Sequence, residues 1–113
     1  MTTAQKMVRV AVTNLTFRRR GSLWAGKCLL CNGPMAFDPQ TGEGATLEHI
    51  RARSRGGTDD LGNLGLVHAR CNHEQGRRWD SKRCRSAEDY EAFVARILER
   101  RLARLRVGTG GPT

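Results

Sequence analysis

Hydrophobic residues recur at helical spacing near the end of the chain. After Ser86, apolar residues follow at Tyr90, Phe93, Val94, Ile97, Leu98, Leu102 and Leu105. They repeat every three or four residues, so the pattern predicts an amphipathic helix over residues 87–106. Ser86 is a good N-cap, and Glu88 and Asp89 in the first turn interact favourably with the helix dipole. We expect the apolar stripe to pack on the rest of the domain, and a dimer contact is the alternative.

The centre of the chain has a different pattern, because glycine and proline interrupt it. Residues 33–65 contain seven glycines and two prolines, which disfavours long helices and favours short strands joined by loops. Residues 45–47 and 64–67 are short apolar runs typical of strands, and they flank a glycine-rich loop over residues 51–62. Residues 69–79 favour a helix. The predicted order in the centre is therefore strand, loop, strand, helix.

The charge of the chain indicates a class of partner. The 113 residues include 20 Lys and Arg against 11 Asp and Glu, a net charge of +9. Strongly basic proteins bind polyanions, and we expect nucleic acid ahead of an acidic membrane surface. Six basic residues and no acidic ones lie in residues 1–27, which include the run Arg18, Arg19 and Arg20. We interpret this segment as a basic arm, either solvated or in contact with phosphate.

The length of the chain allows one compact domain. We divide it into a basic arm at residues 1–27, a core at 28–79, a helix that packs on the core at 80–106, and a disordered glycine-rich tail at 107–113. No stretch approaches the roughly 18 apolar residues that a membrane helix needs, and polar residues interrupt the apolar run near the N-terminus. We therefore expect a cytoplasmic protein with no membrane partner.

The cysteines are spaced as metal ligands. Cys28 and Cys31 form a Cys-x-x-Cys pair, and Gly33 two residues later lets backbone amides fold toward the thiolates. His68 and Cys71 have the same spacing. Together the four residues predict a closed, tetrahedral structural zinc site. Its binding free energy, on the order of 10–16 kcal/mol in zinc-finger peptides, would brace a small core.

Three alternatives remain open for these residues. Cys84 could replace His68 as the fourth ligand, although it lies thirteen residues after Cys71 and has no paired neighbour. His68 could be a buried histidine that binds no metal. A disulfide is expected in an oxidising compartment, and the missing signal peptide argues against that.

Further motifs surround the cysteine pairs in a fixed order. They are Glu48-His49-Ile50, Ser54-Arg55-Gly56-Gly57, Asn63-Leu64 and His68-x-x-Cys71-Asn72. In this order they resemble the HNH endonucleases, whose pattern has an acidic residue and His, a Ser-x-Gly-Gly loop, Asn-Leu, and a Cys-x-x-Cys followed by His or Asn. The resemblance covers residues 28–76.

The resemblance implies an α+β fold, a small zinc-braced ββα-metal domain, here with an N-terminal basic arm and a C-terminal amphipathic helix. It implies that His49 is the general base, that Glu48 and Asn72 bind a catalytic Mg²⁺ or Mn²⁺, and that Asn63 orients the loop that carries His49. The implied reaction is nicking or cleavage of DNA that leaves 5′-phosphate and 3′-hydroxyl ends. Short enzymes of this kind suit phages and mobile elements, so phage packaging or other DNA-processing proteins are the implied protein partners.

The residue types suit this chemistry. An imidazole has an unperturbed pKa of about 6.5, so His49 is mostly neutral at cellular pH and can accept a proton from water. Glu48 and Asn72 supply hard oxygen ligands for Mg²⁺. Successive strand residues point to opposite faces, so Glu48 and His49 share a site only if the strand ends or bulges there. The arginines expected to position phosphate beside the site are Arg51, Arg53, Arg55, Arg77 and Arg78.

Several positions depart from the common family pattern. Glu48 stands where Asp is more frequent, Ala52 replaces Pro, His68 replaces Cys, and Gln75 replaces Lys. These changes remove no catalytic group outright, but they leave open a protein with weak or lost activity. His73 is an alternative to Asn72 as the third motif residue. Two other functions also remain open: a non-catalytic zinc-braced nucleic-acid-binding module, and a zinc-held adaptor that binds protein through the C-terminal helix.

Overall fold

A computed structural model describes residues 1–80 and 86–106 of the chain. In chain order the elements are α1 (Thr3–Thr13), β1 (Arg18–Arg20), β2 (Leu23–Lys27), β3 (Pro34–Phe37), β4 (Thr46–His49), β5 (Leu64–Val67), α2 (Ala69–Asp80) and α3 (Ala87–Ala103). This mixture of helices and antiparallel sheets confirms the predicted α+β class. Cys84 and the tail at 107–113, which we predict to be disordered, lie outside the described residues. None of the described helices combines the length and hydropathy needed to cross a bilayer.

The centre of the molecule has the predicted order of strand, loop, strand and helix. β4 and β5 pair antiparallel, with Glu48 opposite Gly65 and His49 opposite Leu64. β5 and α2 begin at the predicted residues, and β4 runs to His49, two residues beyond its predicted end. The glycine-rich loop between the strands contains two short 3₁₀ turns.

The first helix and two strands of a second sheet come from residues 1–27, the segment predicted to be a basic arm, and the third strand, β3, follows that segment. β1, β2 and β3 form an antiparallel sheet in that order. Met7 and Val10 of α1, and Phe17 after it, are buried in the main core. α1 begins with a capping box: the Thr2 hydroxyl accepts from the Gln5 N–H, and the Gln5 side chain accepts from the Thr2 N–H. The segment is folded onto the core, whereas its contact with phosphate and the four domain boundaries stay predictions.

α3 packs on the core as expected, but its buried face differs from the predicted stripe. Tyr90, Phe93 and Ile97 are buried, whereas Leu102, predicted to lie in the stripe, is 64% exposed. Arg101 beside it is 1% exposed. The physical reason is that buried backbone carbonyls of other segments face this end of α3, and the Arg101 guanidinium can donate to them whereas a leucine cannot.

Arg101 donates three hydrogen bonds that tie α3 to the rest of the domain. Its partners are the Leu64 carbonyl at 2.9 Å, the Leu61 carbonyl at 3.2 Å and the Thr13 hydroxyl at 2.8 Å. The neighbouring Arg100 donates to the Leu29 carbonyl at 2.6 Å. These bonds connect α3 to α1, to the start of β5 and to the loop after β2.

Candidate metal centres and catalytic site

The four predicted zinc ligands meet between the loop after β2 and the start of α2. The sulfur atoms of Cys28, Cys31 and Cys71 and a ring nitrogen of His68 all lie within 4.8 Å of one another. His68 Nδ1 is 3.3 Å from Cys31 Sγ and 3.8 Å from Cys71 Sγ. Tetrahedral zinc with ligands at about 2.0–2.3 Å places ligand atoms roughly 3.5–4 Å apart. The cluster therefore fits one zinc ion after small side-chain movements.

Hydrogen bonds around the cluster orient its ligand atoms. His68 Nε2 lies 2.9 Å from the Pro34 carbonyl oxygen, which can only accept, so Nε2 carries the proton and Nδ1 keeps its lone pair. The Gly33 N–H donates to Cys31 Sγ at 3.3 Å, and the His68 N–H donates to Cys28 Sγ at 3.4 Å. This tautomer supports His68 as a ligand and not as an unligated buried histidine.

Two thiols of the cluster, those of Cys31 and Cys71, have strongly shifted pKa values. The Gly33 N–H lowers the pKa of Cys31 to about 7, whereas burial raises the pKa of Cys71 to about 12. Crowded thiolates repel one another, which opposes their joint ionisation. A cation bound between them offsets this repulsion and allows several thiols to ionise together. The cysteines at 28, 31 and 71 are free thiols.

Glu48 of β4 and Asn72 of α2 face each other. One end of the Asn72 amide lies 3.0 Å from Glu48 Oε1 and 2.9 Å from Glu48 Oε2. When the amide nitrogen is at this end, it donates a hydrogen bond to each of the two oxygens. With the amide oxygen on this side, three oxygens converge on one point, an arrangement that a cation stabilises. Burial raises the pKa of Glu48 to about 7. No cationic side chain among the described residues forms an ion pair with Glu48, so this oxygen pair fits a divalent ion.

His49 completes the same site because β4 ends there. Glu48, His49 and Asn72 line one pocket of about 180 Å³, and the exposed His73 is not among the described residues that line it. His49 Nε2 lies 2.7 Å from Asp59 Oδ1, and this hydrogen bond lowers the pKa of Asp59. Since the carboxylate accepts, Nε2 carries a proton, and in the neutral form of the ring the lone pair is then on Nδ1. The neutral imidazole can therefore take a proton at Nδ1.

Asn63 fastens the loop that follows β4. Its side-chain oxygen accepts from the Arg51 N–H at 2.8 Å, and its amide nitrogen donates to the carbonyls of Arg51 at 3.1 Å and Thr58 at 2.7 Å. Gly56 has a φ of 87°, and a Cβ at Gly57 would lie 1.8 Å from the Arg51 carbonyl oxygen. Both positions therefore require glycine, which gives the Gly-Gly motif a steric reason.

α3 makes contacts with this loop that sequence reasoning missed. The Arg51 guanidinium binds the Glu91 carboxylate through bonds of 2.7 and 2.6 Å. The Ala52 N–H donates to the Tyr90 hydroxyl at 2.9 Å, and the Arg55 guanidinium lies 4.2 Å from the centroid of the Tyr90 ring. These partners are about 40 residues apart in sequence, so no local pattern indicates them. Asp59 was also missed, and its one signal was an acidic pair inside the glycine-rich loop.

The structure distributes the other predicted phosphate-contacting arginines over two regions. Arg55 lines the pocket, Arg53 lies 4.0 Å from Asp59, and Arg77 and Arg78 occupy the last turn of α2. The remaining three, Arg18, Arg19 and Arg20, form β1 in the other sheet. Arg51 is held by Glu91 and is less available than the others. Contact of these side chains with nucleic acid stays a prediction.

Comparison with known proteins identifies the segment that contains both centres. Residues 28–78 match the model of a family described as HNH endonuclease. No curated protein and no solved structure matches the chain. The matched segment holds the four Cys and His ligands and the pocket residues Glu48, His49 and Asn72. Residues 28–78 of this chain are therefore similar to the HNH endonuclease family, a family of nucleases.

Proposed function

We propose that the protein is a metal-dependent endonuclease that hydrolyses DNA phosphodiester bonds by nicking or cleavage. The observation that carries this proposal is the convergence of Glu48, His49 and Asn72 on one pocket. Each supplies a group that phosphodiester hydrolysis needs: a base for water, and oxygen ligands for a cation. The family match over residues 28–78 supports the nuclease class, and the pocket geometry supports this division of roles.

Glu48 and Asn72 are the proposed ligands of the catalytic ion. One end of the Asn72 amide lies against the Glu48 carboxylate, so turning the amide would bring its oxygen to the same ion. Burial raises the pKa of the Glu48 carboxyl to about 7. A bound Mg²⁺ or Mn²⁺ would neutralise negative charge on the phosphoryl oxygens and hold Glu48 in its ionised form. Glutamate in place of the more frequent aspartate keeps the same carboxylate chemistry with one more methylene.

His49 is the proposed general base. Its Nδ1 atom has no partner in the part of the chain that the structure describes, so it can accept a proton from a water molecule. The resulting imidazolium is stabilised by Asp59, whose carboxylate stays bonded to the Nε2 proton at 2.7 Å. Asn63 contributes by fixing the backbone immediately after β4.

The Cys and His cluster is the proposed structural zinc site. Its four protein ligands are Cys28, Cys31, His68 and Cys71. Because all four tetrahedral positions are filled by side chains, no position is open for a reacting water. Zinc there joins the loop after β2 to the start of α2 and so fixes Asn72 relative to β4. A cytoplasmic location and a role with phage packaging or other DNA-processing proteins stay predictions.

The proposal is tested by cleavage of an end-labelled DNA duplex in Mg²⁺ or Mn²⁺. We expect the wild-type protein to release products with 5′-phosphate and 3′-hydroxyl ends. Glu48→Gln and Asn72→Ala should abolish cleavage while keeping the bound zinc. His73→Ala, which removes an exposed side chain next to Asn72, is the matched control and should cleave normally.

Two outcomes of this experiment would contradict the proposal. Undiminished cleavage by the Glu48→Gln variant would exclude the Glu48 carboxylate as a ligand of the catalytic ion. Tight, salt-sensitive DNA binding by wild-type protein with no cleavage in either ion would identify a non-catalytic zinc-braced binding module.

A further inference from the structure

The hairpin formed by β1 and β2 carries three consecutive arginines on an exposed edge. Arg18, Arg19 and Arg20 are all exposed, and β1 is an outer strand of its sheet. The register places Arg18 opposite Ala25 and Arg20 opposite Leu23. Because side chains alternate along a strand, Arg18 and Arg20 lie on one face and Arg19 on the other. Positive charge therefore surrounds this edge of the sheet.

No carboxylate in the described part of the chain compensates this charge. Within residues 1–80 and 86–106, the side chains of Arg18 and Arg20 form no hydrogen bond or ion pair. Arg19 donates to the Gly21 carbonyl at 3.4 Å and lies 5.7 Å from the centroid of the Trp24 ring. The first acidic residue of the chain is Asp38. Adjacent like charges repel, so this cluster costs folding free energy unless an anion binds it.

The hairpin is separate from the proposed hydrolytic site. β1 and β2 belong to one sheet, whereas β4, which carries Glu48 and His49, belongs to the other. Among the described residues, none of those lining the hydrolytic pocket comes from the hairpin. A polyanion bound to both surfaces would have to extend beyond the scissile phosphate. A DNA duplex has this property, because its phosphates repeat along its whole length.

We propose that the β1–β2 hairpin is a second DNA contact, which binds backbone phosphates of the duplex flanking the cleavage position. This inference rests on the proposed function, since it takes DNA to be the substrate. Guanidinium groups bind phosphate oxygens through paired hydrogen bonds. Contacts to phosphate carry no direct sequence information. The hairpin therefore raises affinity for any duplex and leaves the chemistry at His49 unchanged.

The test compares two double variants that remove the same charge. Arg18→Gln/Arg20→Gln changes the hairpin, and Arg9→Gln/Arg96→Gln changes exposed residues of α1 and α3. Both are made in a His49→Ala background without divalent ion, so that DNA stays intact. The dissociation constant for a duplex of about 30 base pairs is measured by fluorescence anisotropy between about 50 and 200 mM salt.

We expect the hairpin variant to bind about fivefold more weakly for each arginine at about 0.15 M salt. The slope of log affinity against log salt should fall in magnitude by about 0.9 per lost phosphate contact, hence by about 2 for the pair. The control variant should change both quantities much less. Unchanged zinc content shows that the variants are folded.

Three results would overturn the inference. Equal losses in the two variants would show that net charge alone matters. If the hairpin variant bound DNA with wild-type affinity, the arginines would instead serve to prevent the exposed strand edge from pairing with other chains. If the hairpin variant lost a binding to anionic lipid vesicles that the wild type shows, while its DNA affinity was unchanged, the hairpin would be a membrane contact. Because binding is measured without cleavage, these results are independent of whether the wild-type protein hydrolyses DNA.

Discussion

Burial of Glu48 makes the stability of the protein depend on pH. Burial raises the pKa of this carboxyl from 4.5 to about 7. The folded state then binds the proton more tightly than the unfolded state does, so protonation of Glu48 adds to the free energy of unfolding. This added stability is fully present below about pH 4.5 and is lost as the pH rises through about 7. At roughly 1.4 kcal/mol per pH unit the whole effect is about 3 kcal/mol, of which about 2 kcal/mol falls between about pH 5.5 and 8.5.

Glu48→Gln removes the titrating group and nearly preserves its shape. We expect the free energy of unfolding of the variant, relative to wild type, to rise by about 2 kcal/mol between about pH 5.5 and 8.5. The assay is urea unfolding of zinc-loaded proteins in buffer without Mg²⁺, and the comparison of two proteins cancels the pH dependence of the zinc site. Glu43→Gln, which removes an exposed carboxylate, is the control and should show no such trend. A difference between wild type and Glu48→Gln that is constant with pH would refute the burial of this carboxylate.

The remaining predictions concern the zinc ligands, the buried arginine and the partner of the proposed base. Metal titration should find less bound zinc in His68→Ala and unchanged zinc in Cys84→Ser; the opposite result would reassign the fourth ligand. Arg101→Ala should lower the free energy of unfolding by about 3 kcal/mol, because it leaves buried carbonyls unpaired and opens a cavity, whereas exposed Arg96→Ala should change it by less than about 0.5 kcal/mol. Equal urea midpoints for these two variants would contradict the role given to Arg101. Asp59→Asn should reduce kcat for DNA cleavage about 10- to 100-fold with unchanged DNA affinity, and an unaltered kcat would show that Asp59 does not assist His49.

The centre of the fold could be predicted from sequence because its signals are local. The apolar run at residues 64–67 and the helix-forming residues after it give β5 and α2. The paired spacing of Cys28 with Cys31 and of His68 with Cys71 indicates which side chains meet, because each pair occupies a single turn. Strand geometry set a condition on Glu48 and His49, which as neighbours can reach one pocket only where the strand ends or bulges. In the structure, β4 ends at His49.

Other parts of the molecule depend on contacts that no local pattern records. The three arginines of β1 read as a solvated charge run, and they form a strand because β2 pairs with them. α1 had a readable signal in the capping box of Thr2 and Gln5, but the surrounding basic residues suggested an arm. On α3, Arg101 is buried and Leu102 is exposed, because the Arg101 guanidinium donates to carbonyls of Leu61 and Leu64. A helical wheel places arginine on the solvent side, so the pattern of α3 alone could not predict this.

The central claim is hydrolysis of DNA at the site formed by Glu48, His49 and Asn72, and plasmid nicking tests it most directly. Supercoiled plasmid is incubated with wild type or His49→Ala in Mg²⁺ or Mn²⁺, after the two proteins have been matched for bound zinc and DNA affinity. The proposed mechanism predicts that wild type converts the plasmid to nicked or linear forms and that His49→Ala leaves it supercoiled. Equal conversion by both proteins would contradict it.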